Sequence, residues 1–267
     1  MLPKTTKAGT PAQSHAGTPA QSHAGTPAQS PAGADAAATE YLALGMLEAI
    51  RADAQATAHL TGRPVIADAV MRAMLQVPRE LFVPEAFRGM AYRNRPLSIG
   101  HGQTISQPFI VALMTDLLDL APSASVLEVG TGSGYQAAVL AAMGMRVHSV
   151  EILEPLARQA ARALAQAGYR DVALRAGDGS LGWSEKAPFD AILVTAAPLR
   201  VPFELIRQLA PKGRIVVPVG APGATQELRR GVLGLDGALR WTSVLPVAFV
   251  PFQGASASKD LRSQAPA

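Results

Sequence analysis

The 267-residue chain contains no cysteine. Disulfides, thiolate nucleophiles and cysteine-bound metal are thereby excluded, and the metal expectation is none. A reducing cytoplasm fits this composition. Charge is also sparse. Only 16% of residues are charged, and the net charge of +4 comes from scattered lysines and arginines. The tightest groupings are Arg88–Arg93–Arg95 and Arg229–Arg230. A nucleic-acid binder gathers its cations on one face, so nucleic acid is not expected as a partner. A few cations near a site for an anionic substrate account for the charge equally well. Apolar runs end well short of the ~18 residues that a membrane-spanning helix needs, so no membrane association is expected. The N-terminus lacks the apolar stretch of a secretory signal. No G-K-[ST] triplet is present for a Walker loop, and no G-x-S-x-G elbow for a serine hydrolase.

What is present divides into a tail and one large domain. Residues 8–31 are near-copies of one octapeptide, AGTPAQSH, AGTPAQSH and AGTPAQSP. Such a tract has no large apolar residue to bury, so 1–38 is expected to be a disordered tail. His15 and His23 recur with that repeat and read as its by-product, not as a metal tract. The domain is expected over 39–255, with a cap and substrate-side motif over 39–122 and a sheet with a hairpin over 123–255. A flexible end follows over 256–267. Thr39 is placed as the cap of a helix reaching about His59, with Leu42, Leu44, Met46, Leu47 and Ile50 on one side. A second short helix is expected over 68–75, then a Pro-punctuated connector, VPRELFVPEAF. Pro108 opens a third helix, where its missing N–H does no harm. From Ser125 onward apolar strands alternate with amphipathic helices, which indicates a parallel sheet covered on both faces. ELRRGVLGL and LRWTSVLPVAFV close the domain as a β-hairpin, with Pro246 at an edge or a bulge.

VLEVGTGSGYQAAVL carries the first chemical signal. Gly130, Gly132 and Gly134 occupy the turn between the first strand of the sheet and its helix, where the chain turns tightly and a ligand comes close. The dinucleotide pattern G-x-G-x-x-G would need glycine at 135, where Tyr135 stands. Glu128 ends the first strand, where it would repel a diphosphate and attract a cationic amino group. Glu151 ends the second strand and can accept both hydroxyls of a ribose. Asp178, followed by Gly179 in AGDGSLGW, comes after the third strand and can accept from an adenine amine. Carboxylates at three successive strand ends, with glycines and no phosphate cradle, describe a site for S-adenosyl-L-methionine. The competing reading makes each acid a helix cap or a solvated loop charge.

VPRELFVPEAF, AYRNRPLSIGHGQTISQPFIVA, VLEVGTGSGYQAAVLA and GDGSLGWSEKAPFDAILVTAA also stand here in the order of one known family. Over roughly 40–255 the chain resembles the protein-L-isoaspartate(D-aspartate) O-methyltransferases. GQTISQP is the most specific segment, because most methyltransferases lack it. The resemblance implies an α/β fold, a Rossmann-like class I S-adenosylmethionine-dependent methyltransferase sandwich with an N-terminal helical cap and a C-terminal β-hairpin. It implies Ser106 as the active-site residue, with Thr104, Ile105 and Gln107 flanking cofactor and substrate, and Gln226 near the cofactor. Phe109 departs from the pattern, since some members have a cofactor-contacting histidine there. The implied acceptor is the free carboxylate of an L-isoaspartyl residue in a damaged protein, with D-aspartyl residues as a second candidate. Its methyl ester would close to a succinimide and so begin repair. The resemblance implies a cytoplasmic protein, and a monomer is expected.

A carboxylate with a pKa near ~4 is ionised at neutral pH, so its methylation needs no general base. Ser106 and the N–H groups opening the third helix are therefore expected to position the acceptor. His101 is not expected to act as a base. Two alternatives stay open: a related methyltransferase whose Arg95–Gln107 segment serves another acceptor, and a cofactor-binding interaction protein without turnover.

Overall fold

The computed structural model describes residues 31–254, with side chains described from residue 37. Residues 1–30 of the expected tail, and 255–267, lie outside the described residues.

Helix α1 spans Pro31–Thr61, so it begins eight residues before Thr39. The Thr39 cap is corrected accordingly. Proline suits a first helical position, and AGADAAATE is rich in the strongest helix former. The buried stripe of α1 is Ala43, Met46, Leu47, Ile50 and Ala54. Leu42 and Leu44 are about half exposed and do not join it. At 3.6 residues per turn they fall roughly 100° to either side of the stripe's centre. Helix α2 (Asp68–Gln76) and helix α3 (Pro108–Leu118) complete the cap. Between them the VPRELFVPEAF connector forms two short 3-10 turns.

The chain then makes a small hairpin that the sequence pattern does not predict. Strand β1 (Leu97–Gly100) pairs antiparallel with β2 (Gln103–Ile105). Gly100, His101 and Gly102 all have positive φ at its turn. His101 is exposed there, at the opposite end of β2 from Ser106. It is a turn residue.

The main sheet is built from β3 (Ser125–Val129), β4 (Arg146–Glu151), β5 (Ala173–Ala176), β6 (Phe189–Val194), β7 (Leu209–Val219), β8 (Gln226–Leu233) and β9 (Leu239–Val247). Its order is β5-β4-β3-β6-β7-β8-β9. The first five of these are parallel neighbours, and the closing hairpin β8–β9 runs antiparallel. Pro246 lies on the edge strand β9, next to an irregularity opposite Leu228/Arg229, as its missing N–H requires. Helices α4 (Tyr135–Ala142), α5 (Glu154–Gln166) and α6 (Phe203–Arg207) connect the parallel strands.

Alternate residues of the central strands feed two cores. Val126, Ala191 and Leu193 join the cap helices, whereas Leu127, Ile192 and Val194 pack with Phe189, Leu205 and Ile215 on the other face. The chain direction reverses its walk through the sheet at β3, whose neighbours are β4 and β6. A parallel sheet binds its ligand beyond the carboxyl ends of its strands at such a point. Leu127→Ala, which empties a fully buried site in the second core, is expected to cost about 2–5 kcal/mol of stability. Denaturant unfolding of wild type and variant checks this.

Candidate functional site

A cleft opens at the carboxyl ends of β3, β4 and β6. Thr104, Ile105 and Ser106 form one wall, Glu128, Gly130 and Gly132 the floor, and Glu151 and Gly179 the far side. Val250–Gln253 close it from above. Most of the residues expected from sequence are thus brought together.

The turn after β3 needs its glycine at 130. Gly130 has φ +97°, and a Cβ there would stand 2.5 Å from Thr195 Oγ1. Thr195 Oγ1 itself donates to Val129 O at 3.1 Å and to Gly130 O. Gly134 has a different reason. Its φ of +89° starts α4, and a Cβ would press on Ala160 and Leu164 of α5 at 3.3 Å. Its left-handed backbone and close approach to α5 favour glycine, and it does not line the cleft.

Glu128 is wholly buried, yet it belongs to the cleft lining. Its Oε2 accepts from Ser149 Oγ at 2.5 Å, and Ser149 Oγ lies 2.6 Å from Thr131 Oγ1. Its Oε1 is buried without a hydrogen-bond partner among the described residues. Burial pushes this carboxyl up to about 8, helped by the nearby Glu151 charge and opposed by the Ser149 hydrogen bond. An orphaned acceptor of this kind is costly unless a ligand meets it. A cationic amino group fits the vacancy in its bonding.

Glu151 braces the same turn. Its Oε2 accepts from Gly132 N–H at 2.8 Å and its Oε1 from Leu153 N–H at 2.9 Å. Each carboxylate oxygen retains acceptor capacity for a ribose hydroxyl.

Besides Gly134, three expected residues are placed otherwise. Asp178 accepts from Ser180 N–H at 2.8 Å and caps a 3-10 turn, while its neighbour Gly179 reaches the cleft. Gln226 is buried away from the lining, where its amide accepts from Phe249 N–H at 2.6 Å and donates to Phe249 O at 3.1 Å. It therefore pins the strap that roofs the cleft. Gln107 lines a second groove, which shares Thr104, Ser106, Thr195 and Val250 with the cleft.

Ser106 stands where the two cavities meet. Arg79 holds it from behind. That guanidinium is fully buried, donates to Ser106 O at 2.7 Å and Ala91 O at 2.8 Å, and lies 4.6 Å over the Tyr135 ring. Burial lowers its pKa. Ser106 Oγ has no hydrogen-bond partner among the described residues. Phe109 N–H is already taken by Asn94 Oδ1 at 3.0 Å, so that helix-opening donor is not available to an acceptor. Asn94 in turn is held by Asp53. The sequence reading missed Arg79, Asn94, Asp53 and the Ser149–Thr131 pair. Thr195 was inside a quoted motif, but nothing local marked its role.

A charge test follows from Glu128. The unfolded carboxyl ionises near 4.5 and the folded one near 8. The folded state therefore holds an extra proton between those values. The stability this gives is fully present below the lower value and is lost as pH rises through the upper one. For the cofactor-free protein, the melting temperature of wild type should fall relative to Glu128→Gln between about pH 5 and about pH 9. A constant difference between the two would contradict the shift.

Comparison with known proteins is consistent with this geometry. Residues 57–257 match the family model described as protein-L-isoaspartate(D-aspartate) O-methyltransferase (PCMT). The chain is 54% identical over 209 residues to protein-L-isoaspartate O-methyltransferase 1 of Cupriavidus necator, covering 78% of this chain and 81% of that one. It is 53% identical to protein-L-isoaspartate O-methyltransferase 2 of Polaromonas sp., covering 78% and 99%. A solved protein-L-isoaspartate O-methyltransferase aligns with a TM-score of 0.67 at 29% identity, over 72% of this chain. This chain spans 63% of that one, just under two thirds. A Plasmodium falciparum structure, described as a putative member in complex with S-adenosyl-L-homocysteine, aligns with a TM-score of 0.66 at 24% identity, over 78% and 97%.

Proposed function

Because the chain belongs to the protein-L-isoaspartate(D-aspartate) O-methyltransferase family, we propose that it transfers a methyl group from S-adenosyl-L-methionine to the free carboxylate of isoaspartyl residues in damaged proteins. The observation that carries this reading is the meeting of two cavities at Ser106. One has on its floor a buried carboxyl with an unpartnered oxygen, suited to a cationic ligand, and the other is a groove with room for a peptide.

S-adenosyl-L-methionine supplies, when bound, a methyl group on a sulfonium with a neutral thioether as leaving group. Glu128 would hold the amino group through Oε1, and Glu151 the ribose hydroxyls. Gly130 and Gly132 line the floor with backbone, and Gly179 lies beside them where a Cβ would strike the Val129 side chain. Asp178 stays within the proposed cofactor set through its loop, with one oxygen committed to Ser180 N–H. Gln226 acts on the cofactor indirectly, by fixing the roof.

On the acceptor side, Ser106 Oγ donates a hydrogen bond to the carboxylate and orients it. Thr104 stands beside it on the wall common to both cavities. No proton has to leave the acceptor, which explains why no base is needed next to Ser106. Ile105, Val250 and Phe252 supply apolar walls that exclude water. Positioning of this kind lowers a barrier by up to about 7–11 kcal/mol. The methyl ester then lets the following backbone nitrogen close a succinimide with loss of methanol, and hydrolysis returns part of it to normal aspartate.

The finer parts of the proposal are action on D-aspartyl residues, a monomer, a cytoplasmic setting, and no nucleic-acid or membrane partner. The D-aspartyl substrate and the cytoplasmic setting rest on the family, and the lack of a nucleic-acid partner on scattered rather than clustered cations. Among the described residues, no helix is long and apolar enough to cross a membrane.

Two peptides of equal composition, one isoaspartyl and one aspartyl, test the reading with methyl-labelled S-adenosyl-L-methionine. Base-labile label is expected on the isoaspartyl peptide alone. Ser106→Ala is expected to lower kcat/KM about 10- to 100-fold, the worth of a hydrogen bond to a charged group. Label on neither peptide, with the cofactor still bound, would overturn it.

A further inference from the structure

The groove beside Ser106 carries a single charged residue among its described lining, Asp53. It comes from α1, whereas the family match begins at residue 57. Asp53 Oδ2 accepts from Asn94 Nδ2 at 2.8 Å and from Gln107 Nε2 at 3.1 Å. Both donors are neutral amides. None of the ion pairs among the described residues involves Asp53. A half-buried carboxylate is thus held firmly in place, without a balancing cation, on the wall of the proposed acceptor groove.

We propose that Asp53 makes this groove selective for isoaspartyl peptides carrying a lysine or arginine close to the isoaspartyl residue, and against those carrying an acid there.

The inference rests on the methyl-transfer reading and deepens it. An isoaspartyl peptide must bring its own carboxylate to Ser106, within the field of a second negative charge at Asp53. A cationic neighbour on the peptide offsets that charge. An acidic neighbour adds a third like charge to one low-dielectric groove, where fields are focused. The remaining lining favours the same occupant. Phe109, Ile110 and Pro246 are apolar, and Thr57 and Thr104 are neutral. Long basic side chains lay their methylene stems along such surfaces and keep the charged head near a partner. Asp53 is well placed as that partner, because its two amide contacts fix its position without neutralising it.

At an effective dielectric between those of water and the protein surface, one such contact changes discrimination by about five- to thirtyfold. Exposed charges are screened beyond ~8 Å at physiological salt, so the effect should shrink as salt is raised.

The test uses isoaspartyl peptides of one length in which lysine, glutamine or glutamate is moved through the two positions before and the three after the isoaspartyl residue. Initial rates give kcat/KM for each with the full-length enzyme. For wild type, at least one position should show lysine above glutamine above glutamate, with an end-to-end ratio of about five or more. Asp53→Asn keeps an oxygen acceptor for Asn94 and Gln107, and should bring that ratio close to one. Asp53→Glu should retain it. A merely structural role for Asp53 would change all three peptides by the same factor and leave the ratio intact. An unchanged ratio in Asp53→Asn, or a wild type indifferent to the flanking charge, overturns the proposal while methyl transfer itself stands. Failure to methylate any isoaspartyl peptide would overturn the underlying reading, and this inference with it.

Discussion

A carboxyl group buried at the end of the first strand of the sheet, with one oxygen facing no donor, sets the terms for the rest of the site. Glu128 is held by Ser149 on one oxygen only. Nothing in the packing of the sheet requires an acid there, since the flanking positions Leu127 and Val129 are ordinary core residues. A buried group left half-satisfied is destabilising on its own account. Its burial raises its pKa and keeps it protonated near neutrality in the free protein. Such a group is poised to change charge when a cation arrives. The neighbouring features then follow in order. Gly130 and Gly132 line the cleft at the strand end, and Glu151 braces that turn while lining the same cleft.

The second half of the chemistry depends on how the cap meets the sheet. The GQTISQP segment leaves β2 and enters α3 directly over the cleft. Its backbone is fixed from below by Arg79 and at the helix start by Asn94. Ser106 is therefore one end of a rigid span, while its hydroxyl stays unengaged among the described residues. The roof is fixed separately, through Gln226 and the hydrogen bonds between Ala197 and the Val250–Phe252 strap. The walls where the two cavities meet are thus already set, with little ordering left to accomplish on binding.

Much of this was legible in the sequence, and the exceptions are instructive. Alternating apolar strands and amphipathic helices marked the parallel sheet, and Pro246 correctly marked its edge. The G-x-G-x-G turn and the acids at 128 and 151 were legible because their spacing from strand ends is fixed by the fold. Asp178 and Gln226 fell outside the lining because whether a polar side chain faces a ligand or its own backbone is decided by local turn geometry, which residue type does not reveal. Gly134 illustrates the same point. Its motif position suggested a ligand, whereas its left-handed φ and close approach to α5 are what favour glycine there. Arg79, Asn94 and Asp53 were missed because each acts across 12 to 54 residues of sequence. The start of α1 was misplaced because a repeat tract runs into alanine-rich helix former without a break in composition.

The central claim is that Glu128 meets the cofactor's amino group and changes its charge in doing so. Calorimetric titration with S-adenosyl-L-homocysteine at about pH 6.5, in buffers of different ionisation enthalpy, measures the protons exchanged on binding. S-adenosyl-L-homocysteine carries the same amino group and cannot turn over. Release of most of one proton by wild type, and of almost none by Glu128→Gln, is the predicted result. Binding by wild type without proton release, or equal release by both proteins, would contradict it.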